Sequence, residues 1–253
     1  MGQSFCLTRL MSFFKIGLVK KTVFKKGDDL MLVYGRNVLK DLDLKKIRKV
    51  YVLETIKDQA IFNFLNTHKI HYLLCKKHQF DKMVQGNHQG IIIEIDDYCY
   101  SSLNEVQNEN FLVVLDHLED PHNFGAIVRT CEAAGVKTII IPKDRSVRVN
   151  DVVMKTSCGA IDRVKIVLVS NISEALKKLQ KENYFVYSAF MNGNDYRTLD
   201  YSGKKVLVIG NEGKGVSRLV EDLTDFRIGI PMTGQINSLN ASVAAGILIF
   251  AMR

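Results

Sequence analysis

Apolar positions fall into two blocks separated by a polar break. From residue 31 to about residue 96, short apolar runs alternate with amphipathic stretches at 50–54, 56–67, 70–75, 79–84 and 91–95. Runs rich in Val, Ile and Tyr beside helix-period segments predict a small α/β unit. Residues 96–110 hold four acids, no base and mostly polar side chains, the composition of an exposed linker. Beyond them, strand-like runs recur at 111–115, 137–141, 164–169, 184–188, 206–210 and 226–230. Helical patterns cover 123–134, 173–181, 216–223 and the stretch from residue 239 onward. Near-continuous apolar strands alternating with helices predict a parallel sheet covered on both faces. The expected organisation is a basic, flexible arm over 1–30, a first domain over 31–95, a linker over 96–110 and a second domain over 111–253.

Composition narrows the class. At 253 residues, 47% hydrophobic and 25% charged, the chain is ordinary globular material rather than a disordered or collagen-like one. No apolar run approaches the roughly 18–20 residues of a membrane-spanning helix, so no membrane partner is expected. Basic residues exceed acidic ones by eight, which directs attention to a polyanion such as RNA. That excess is uneven: residues 1–26 carry six basic side chains and no acid, whereas residues 111–253 carry 18 basic and 15 acidic. The arm lacks the layout of a secretory signal; an organellar presequence is the alternative reading. Cysteines at 6, 75, 99, 131 and 158 form an odd set without a C-x-x-C pair, which suggests reduced thiols and a cytoplasmic location.

Three segments carry candidate chemistry. The first, D-P-H-N-F-G-A-I-V-R-T at 120–130, follows an apolar strand and opens a helix for which Asn123 is a candidate N-cap. The second, G-N-E-G-K-G at 210–215, follows another apolar strand. Its glycines are not in the dinucleotide-fingerprint order, and Lys214 precedes Gly215 where a P-loop needs Ser or Thr. Glu212 within that loop would repel phosphates, so a cationic or phosphate-free ligand such as S-adenosylmethionine fits better. The third, I-P-M-T-G-Q-I-N-S-L-N-A-S-V-A at 230–244, ends a strand at Pro231 and offers Ser238 or Asn240 as cap of a helix with a small-residue face. Each segment has a bland reading as well, namely a capped helix, a glycine turn and a tightly packed core helix.

Taken together, these segments closely resemble the signature motifs of the SpoU (TrmH-like) branch of the SPOUT RNA methyltransferases, over essentially all of 111–253. The stretch K-T-S-C-G-A at 155–160 extends the likeness. Residues 34–39 (Y-G-R-N-V-L) and 86–91 (G-N-H-Q-G-I) make the first domain similar to the ribosomal-protein-like, RNA-binding unit of the ribosomal-RNA members. The resemblance implies an α/β fold whose C-terminal parallel-sheet domain closes in a deep trefoil knot, beside that small N-terminal α/β domain, in a homodimer. It also implies S-adenosylmethionine as methyl donor, no metal, and a ribose 2′-hydroxyl as acceptor, in a guanosine of 23S rRNA. Arg129 matches the catalytic arginine, with Asn123, Glu212, Ser238 and Asn240 around it. Leu207, Gly210, Ile230, Met232, Ser238 and Leu239 match cofactor-binding positions.

Arginine as a true general base would need a large pKa perturbation, so Arg129 is read as stabilising a developing alkoxide or anchoring a phosphate, oriented by Asn123 and Glu212. Cys131 and Cys158 stand where the family often has alanine; both are expected to be compatible with burial, and neither is expected to act as a nucleophile. His68, His71, Cys75 and His78 include metal-ligating types, but they straddle a strand whose alternate residues face opposite ways. A tRNA 2′-O-methyltransferase is the alternative within the enzyme class. A non-catalytic RNA-binding or assembly factor is the alternative outside it.

Overall fold

The computed structural model describes residues 30–84, 87–106, 108–236 and 238–253. The basic-arm and presequence readings fall on residues outside the described ones, apart from Leu30. The N-terminal unit comprises β1 (Leu30–Tyr34), α1 (Arg36–Asp41), β2 (Ile47–Leu53), α2 (Gln59–Thr67), β3 (Tyr72–Cys75), α3 (Lys77–Met83) and β4 (Ile91–Asp96). Its sheet runs β1-β4-β2-β3, with β4 antiparallel to β1 and β2, and β3 parallel to β2. Val38 and Leu39 of α1 and Ile61 and Leu65 of α2 cover one face, and Phe80 of α3 seals the other. β1 and α1 carried no periodic signal of their own: five and six residues are too few to express a period.

The larger unit contains β5 (Phe111–Asp116), α4 (Pro121–Ala133), β6 (Thr138–Pro142), α5 (Asp151–Thr156), β7 (Lys165–Val169), α6 (Ile172–Lys181), β8 (Phe185–Asp195), β9 (Lys205–Gly210), α7 (Arg218–Glu221), β10 (Phe226–Gly229) and α8 (Ala241–Ala251). Its six strands are parallel throughout, in the order β10-β8-β9-β5-β6-β7. The two-residue period of each strand sorts its side chains. Val113, Leu115, Leu207 and Ile209 join the cluster that holds α4 and α8, whereas Leu112, Val114, Val206 and Val208 join the one that holds α6. From β5 the chain builds outward through β6 and β7, then returns to add β8, β9 and β10 on the other side. Strand order therefore reverses between β5 and β9, and open parallel sheets bind ligands beyond the carboxyl ends of the strands at such a reversal.

Two local expectations are corrected. Asn123 does not cap α4: Asp120 does, accepting from the His122 amide at 2.9 Å, with Pro121 in the first turn where no amide donor is needed. Residues 96–110 are not simply exposed. Ser101 bridges to Val167 on edge strand β7, the Tyr100 hydroxyl accepts from the Val149 amide at 3.0 Å, and Val106 is buried. An edge strand offers unpaired backbone groups, and a passing segment that satisfies them is held there despite its polar composition. The two units also touch directly, through the Lys46–Asp162 ion pair at 2.5 Å and through Tyr34 beside Asp151. Burial, and then the Asp151 carboxylate, push the Tyr34 phenol pKa up.

Candidate active site

Asp116 ends β5 and Gly210 ends β9, side by side in register at the reversal point. The Asp116 carboxylate is buried, accepting from the Ser217 amide at 2.6 Å through one oxygen and meeting His117 Nδ1 at 2.6 Å through the other. It thereby ties the exit of β5 to the start of α7. Between β9 and α7 the chain makes a closed loop. Asn211 and Gly215 exchange both backbone hydrogen bonds, while the Asn211 side chain accepts from the amides of Gly213 and Lys214 and donates to the His117 carbonyl. Gly215 sits at φ +69°, and a Cβ placed on Gly210 would lie 2.2 Å from the Gly215 carbonyl carbon. The loop therefore folds directly over Gly210, with no space for a side chain beneath it.

Asn123 joins the three motif segments. Its amide donates to Glu212 Oε1 at 2.9 Å, and its carbonyl oxygen accepts from Asn240 Nδ2 at 2.9 Å. Asn240 in turn caps α8, accepting from the Ser242 and Val243 amides. One buried amide on α4 thus holds the glycine loop on one side and the mouth of α8 on the other. Asn123→Ala would leave Glu212 and Asn240 without these partners at a half-buried site, and should lower stability by about 1–3 kcal/mol in urea unfolding.

Arg129 lies elsewhere. Six residues along an α-helix advance about 9 Å and turn well past the original face, so the exposed guanidinium points away from Asn123. Its Nη1 donates to Cys158 Sγ at 3.7 Å. The expectation that Asn123 and Glu212 orient Arg129, with Asn240 beside it, is corrected by this helical geometry within the single chain. Cys158 is also not buried: it is exposed, with φ +50°, on the turn after α5. Cys131 is buried, and desolvation pushes its thiol pKa up, which suits an inert core residue.

Ile230 and Met232 line a cleft of about 580 Å³ together with Gly193, Asp195 and Pro231. Gly193 approaches β10 so closely that a Cβ there would lie 2.3 Å from the Ile228 carbonyl carbon. Arg197 donates to the Asp195 carboxylate at the cleft, an ion pair that lowers the Asp195 pKa. Gly193 and Asp195 escaped the sequence reading; the only local signal was an Asn-Gly step at the end of a strand. Ser238 is exposed and Leu239 half-buried, just ahead of α8. Leu207 is not brought to this cleft: it is wholly buried in mid-strand, its backbone in register with both Val113 and Tyr187. Among the described residues no three His, Cys, Asp or Glu side chains gather as a metal site, and His68, His71, Cys75 and His78 form none.

The family model described as the SpoU rRNA methylase family matches residues 110–250, and one described as RNA 2′-O ribose methyltransferase substrate binding matches residues 32–101. A Staphylococcus haemolyticus protein named for the TrmH family of tRNA/rRNA methyltransferases is 38% identical over 236 residues, covering 88% of this chain and 94% of its own. Among solved structures, the SpoU methyltransferase AviRb of Streptomyces viridochromogenes, in complex with AdoMet, superposes with a TM-score of 0.74 at 20% identity over 88% of this chain and 89% of its own. The AdoMet-bound rRNA methyltransferase of Sinorhizobium meliloti gives 0.71 at 25% identity over 89% and 87%. A TrmH/SpoU tRNA-modifying enzyme of A. aeolicus gives 0.52 at 30% identity over 59% of this chain and 80% of its own.

Proposed function

Because the chain belongs to the SpoU rRNA methylase family, and is thus an S-adenosylmethionine-dependent RNA 2′-O-ribose methyltransferase, we propose that its acceptor is a guanosine of 23S rRNA. The observation that supports a methyltransferase site here is the hydrogen-bonded chain Glu212–Asn123–Asn240, which draws all three motif segments to the end of the sheet where a ligand belongs. Support for ribosomal rather than transfer RNA comes from extent. The rRNA methyltransferase of S. meliloti covers 89% of this chain, whereas the tRNA-modifying enzyme covers only 59%.

The residues suit the methyl donor. Gly193 brings backbone rather than a side chain to the cleft beside Ile230 and Met232, and no lysine or arginine stands among its described lining residues to favour a polyphosphate. Ile230, Met232, Gly210, Ser238 and Leu239 would hold it, with Leu207 beneath them in the core. When bound, S-adenosylmethionine supplies an electrophilic methyl group on a positively charged sulfur. The protein's task is then to stabilise the acceptor: a ribose hydroxyl is a weak nucleophile whose oxygen gains negative charge as its proton leaves. Arg129, a permanent cation with a planar donor fork, stabilises that oxygen or anchors the adjacent phosphate. Asn123, Glu212 and Asn240 hold the loops that shape the site, and Ser238 lies on the acceptor side of α8.

The homodimer is part of the same reading. Val243 and Phe250 on α8 are half exposed and Ile236, on the segment ahead of that helix, is 71% exposed, leaving apolar surface next to the site. Pairing of two such faces also suits the separation of Arg129 from Asn123 within one chain. The trefoil knot is included as well, supported by the packing of α8 on α4 and β9. A cytoplasmic location is proposed with it; no described helix is long and apolar enough to cross a membrane.

Incubating the protein with tritiated S-adenosylmethionine and either 23S rRNA or tRNA from cells that lack it tests the substrate. Label is expected in a 2′-O-methylguanosine of the 23S rRNA. Label confined to tRNA would overturn the ribosomal assignment, and absence of donor binding in calorimetry would favour the assembly-factor reading.

A further inference from the structure

A second cavity lies between the two domains, on the Arg129 side. It encloses about 300 Å³, the lower end of the roughly 300–1,000 Å³ range of small-molecule pockets. One wall is the turn from β1 into α1 together with Gln89; the other is the end of α5 and its following turn. Cys158, which carries the Arg129 guanidinium on its sulfur, is part of that second wall. The cavity therefore begins within one side chain of the proposed catalytic cation.

Backbone geometry gives the walls definition. Gly35 (φ +113°) and Gln89 (φ +50°) face Cys158 (φ +50°) and Gly159 (φ +79°), so left-handed residues occur on both sides of one cavity. Such conformations are disfavoured for non-glycine residues and persist where surrounding contacts enforce them. Here the Gln89 side chain accepts from the Arg36 amide at 3.1 Å, and its carbonyl accepts from Arg36 Nε at 3.2 Å. The Gln89 Nε2 and the whole Asn37 amide have no hydrogen-bond partner among the described residues. The floor is apolar, made by Val38, Leu42, Met154 and Ile161.

Charge favours an anion-bearing occupant. Lys40 and Lys155 stand exposed at the cavity, while Asp162, the one carboxylate among its described lining residues, is neutralised by Lys46 at 2.5 Å. An apolar floor, free amide donors and acceptors on one wall, and ammonium groups outside match a nucleobase with its flanking phosphates. The space suits one unstacked nucleotide and excludes a duplex, whose bases remain paired and stacked. A wider groove of about 760 Å³ shares Asn37 and Gln89 with this cavity and continues along the N-terminal domain past Arg36, Thr55 and Lys57, a path for the adjoining strand.

We propose that this interdomain cavity binds one splayed nucleotide of single-stranded RNA next to the methylated ribose, with Asn37 and Gln89 reading its base edge. The proposal rests on the methyltransferase reading and adds where, and in what conformation, the acceptor strand is gripped. It gives the N-terminal domain a specific contact rather than a diffuse electrostatic one.

The test uses the full chain and twelve-nucleotide RNAs of mixed sequence, either single-stranded or closed into a hairpin duplex, with 4-thiouridine for crosslinking. Single-stranded RNA is expected to bind more tightly than the duplex and to crosslink to peptides containing Asn37 and Cys158. Asn37→Ala should weaken single-strand binding about tenfold, the loss of one base-edge contact, and Asn37→Trp should block the cavity and remove the crosslinks. Asn37 is exposed on the first turn of α1, and unchanged S-adenosylmethionine binding in calorimetry verifies that both variants fold. Equal binding of duplex and single strand, crosslinks confined to other surfaces, or wild-type affinity in Asn37→Ala would each overturn the proposal. If the wild-type protein bound RNA in this way but no S-adenosylmethionine, the enzymatic reading would fail while the cavity assignment stood.

Discussion

Replacing Arg129 with alanine should slow methyl transfer by about two to three orders of magnitude, the effect of deleting one preorganised donor to a developing oxyanion. Affinity for S-adenosylmethionine should stay within about twofold, because the guanidinium is directed to Cys158 and away from the Ile230–Met232 cleft. Arg129→Lys is the sharper comparison. Lysine retains the charge but lacks the planar fork, so a large residual defect would identify bidentate geometry as the active feature. Single-turnover assays with saturating donor separate the chemical step from binding. Near-wild-type rates in both variants would eliminate Arg129 as oxyanion stabiliser and as phosphate anchor alike. Cys158→Ala probes positioning: it removes the long sulfur contacts to Arg129 Nη1 and to the Lys155 carbonyl and should slow the reaction only weakly, without changing donor binding.

Gly210→Ala should be the most damaging single-methyl change. The new Cβ would fall 2.2 Å from the Gly215 carbonyl carbon and 2.4 Å from the Val216 amide nitrogen, both of them backbone atoms that no rotamer change can move. The loop would have to lift, breaking the paired Asn211–Gly215 hydrogen bonds and the contact between Asn211 and His117. A loss of about 2–4 kcal/mol is expected in chemical unfolding, with donor affinity reduced about thirty- to a thousandfold for a comparable distortion free energy. Gly213→Ala is the matched control, since a Cβ there meets only the flexible Asn211 side chain at 3.6 Å. Equal behaviour of the two alanine variants would show that the loop is soft and that its close approach to β9 has no bearing on binding.

Much of this arrangement was readable before any coordinates. Five of the six strands of the larger sheet, and the start of β8, fall within a residue or two of their expected positions because buried parallel strands write themselves as unbroken apolar runs. Met232 and Ile230 do reach a cleft, and Asn123, Glu212 and Asn240 do meet. The failures have local physical causes. Asp120 preceded a proline and took the cap that Asn123 had been given. β8 runs on to Asp195 rather than ending at residue 188, since the added stretch turns polar from Asn192 and pairs at its far end with β10 across a register shift. Residues 96–110 read as linker by composition because main-chain bonding to an edge strand leaves little trace in side-chain type.

The chain's own order of residues settles which groups are available: apolar strands that must lie in a two-sided parallel sheet, glycines that tolerate a backbone against them, and one arginine in a motif that resembles a catalytic one. These are properties of individual side chains and their local period, and they survive without knowledge of neighbours. Where the groups meet is decided by packing between distant segments. Asn123 and Asn240 are 117 positions apart and touch because α4 and α8 share one face of the sheet. Arg129, only six residues from Asn123, is separated from it by the turn of the helix and faces the seam with the N-terminal domain. That seam, with Asn37 and Gln89 opposite Cys158, exists only because two independently patterned domains dock. Complementary surfaces of that kind have no period along the chain from which they could be read.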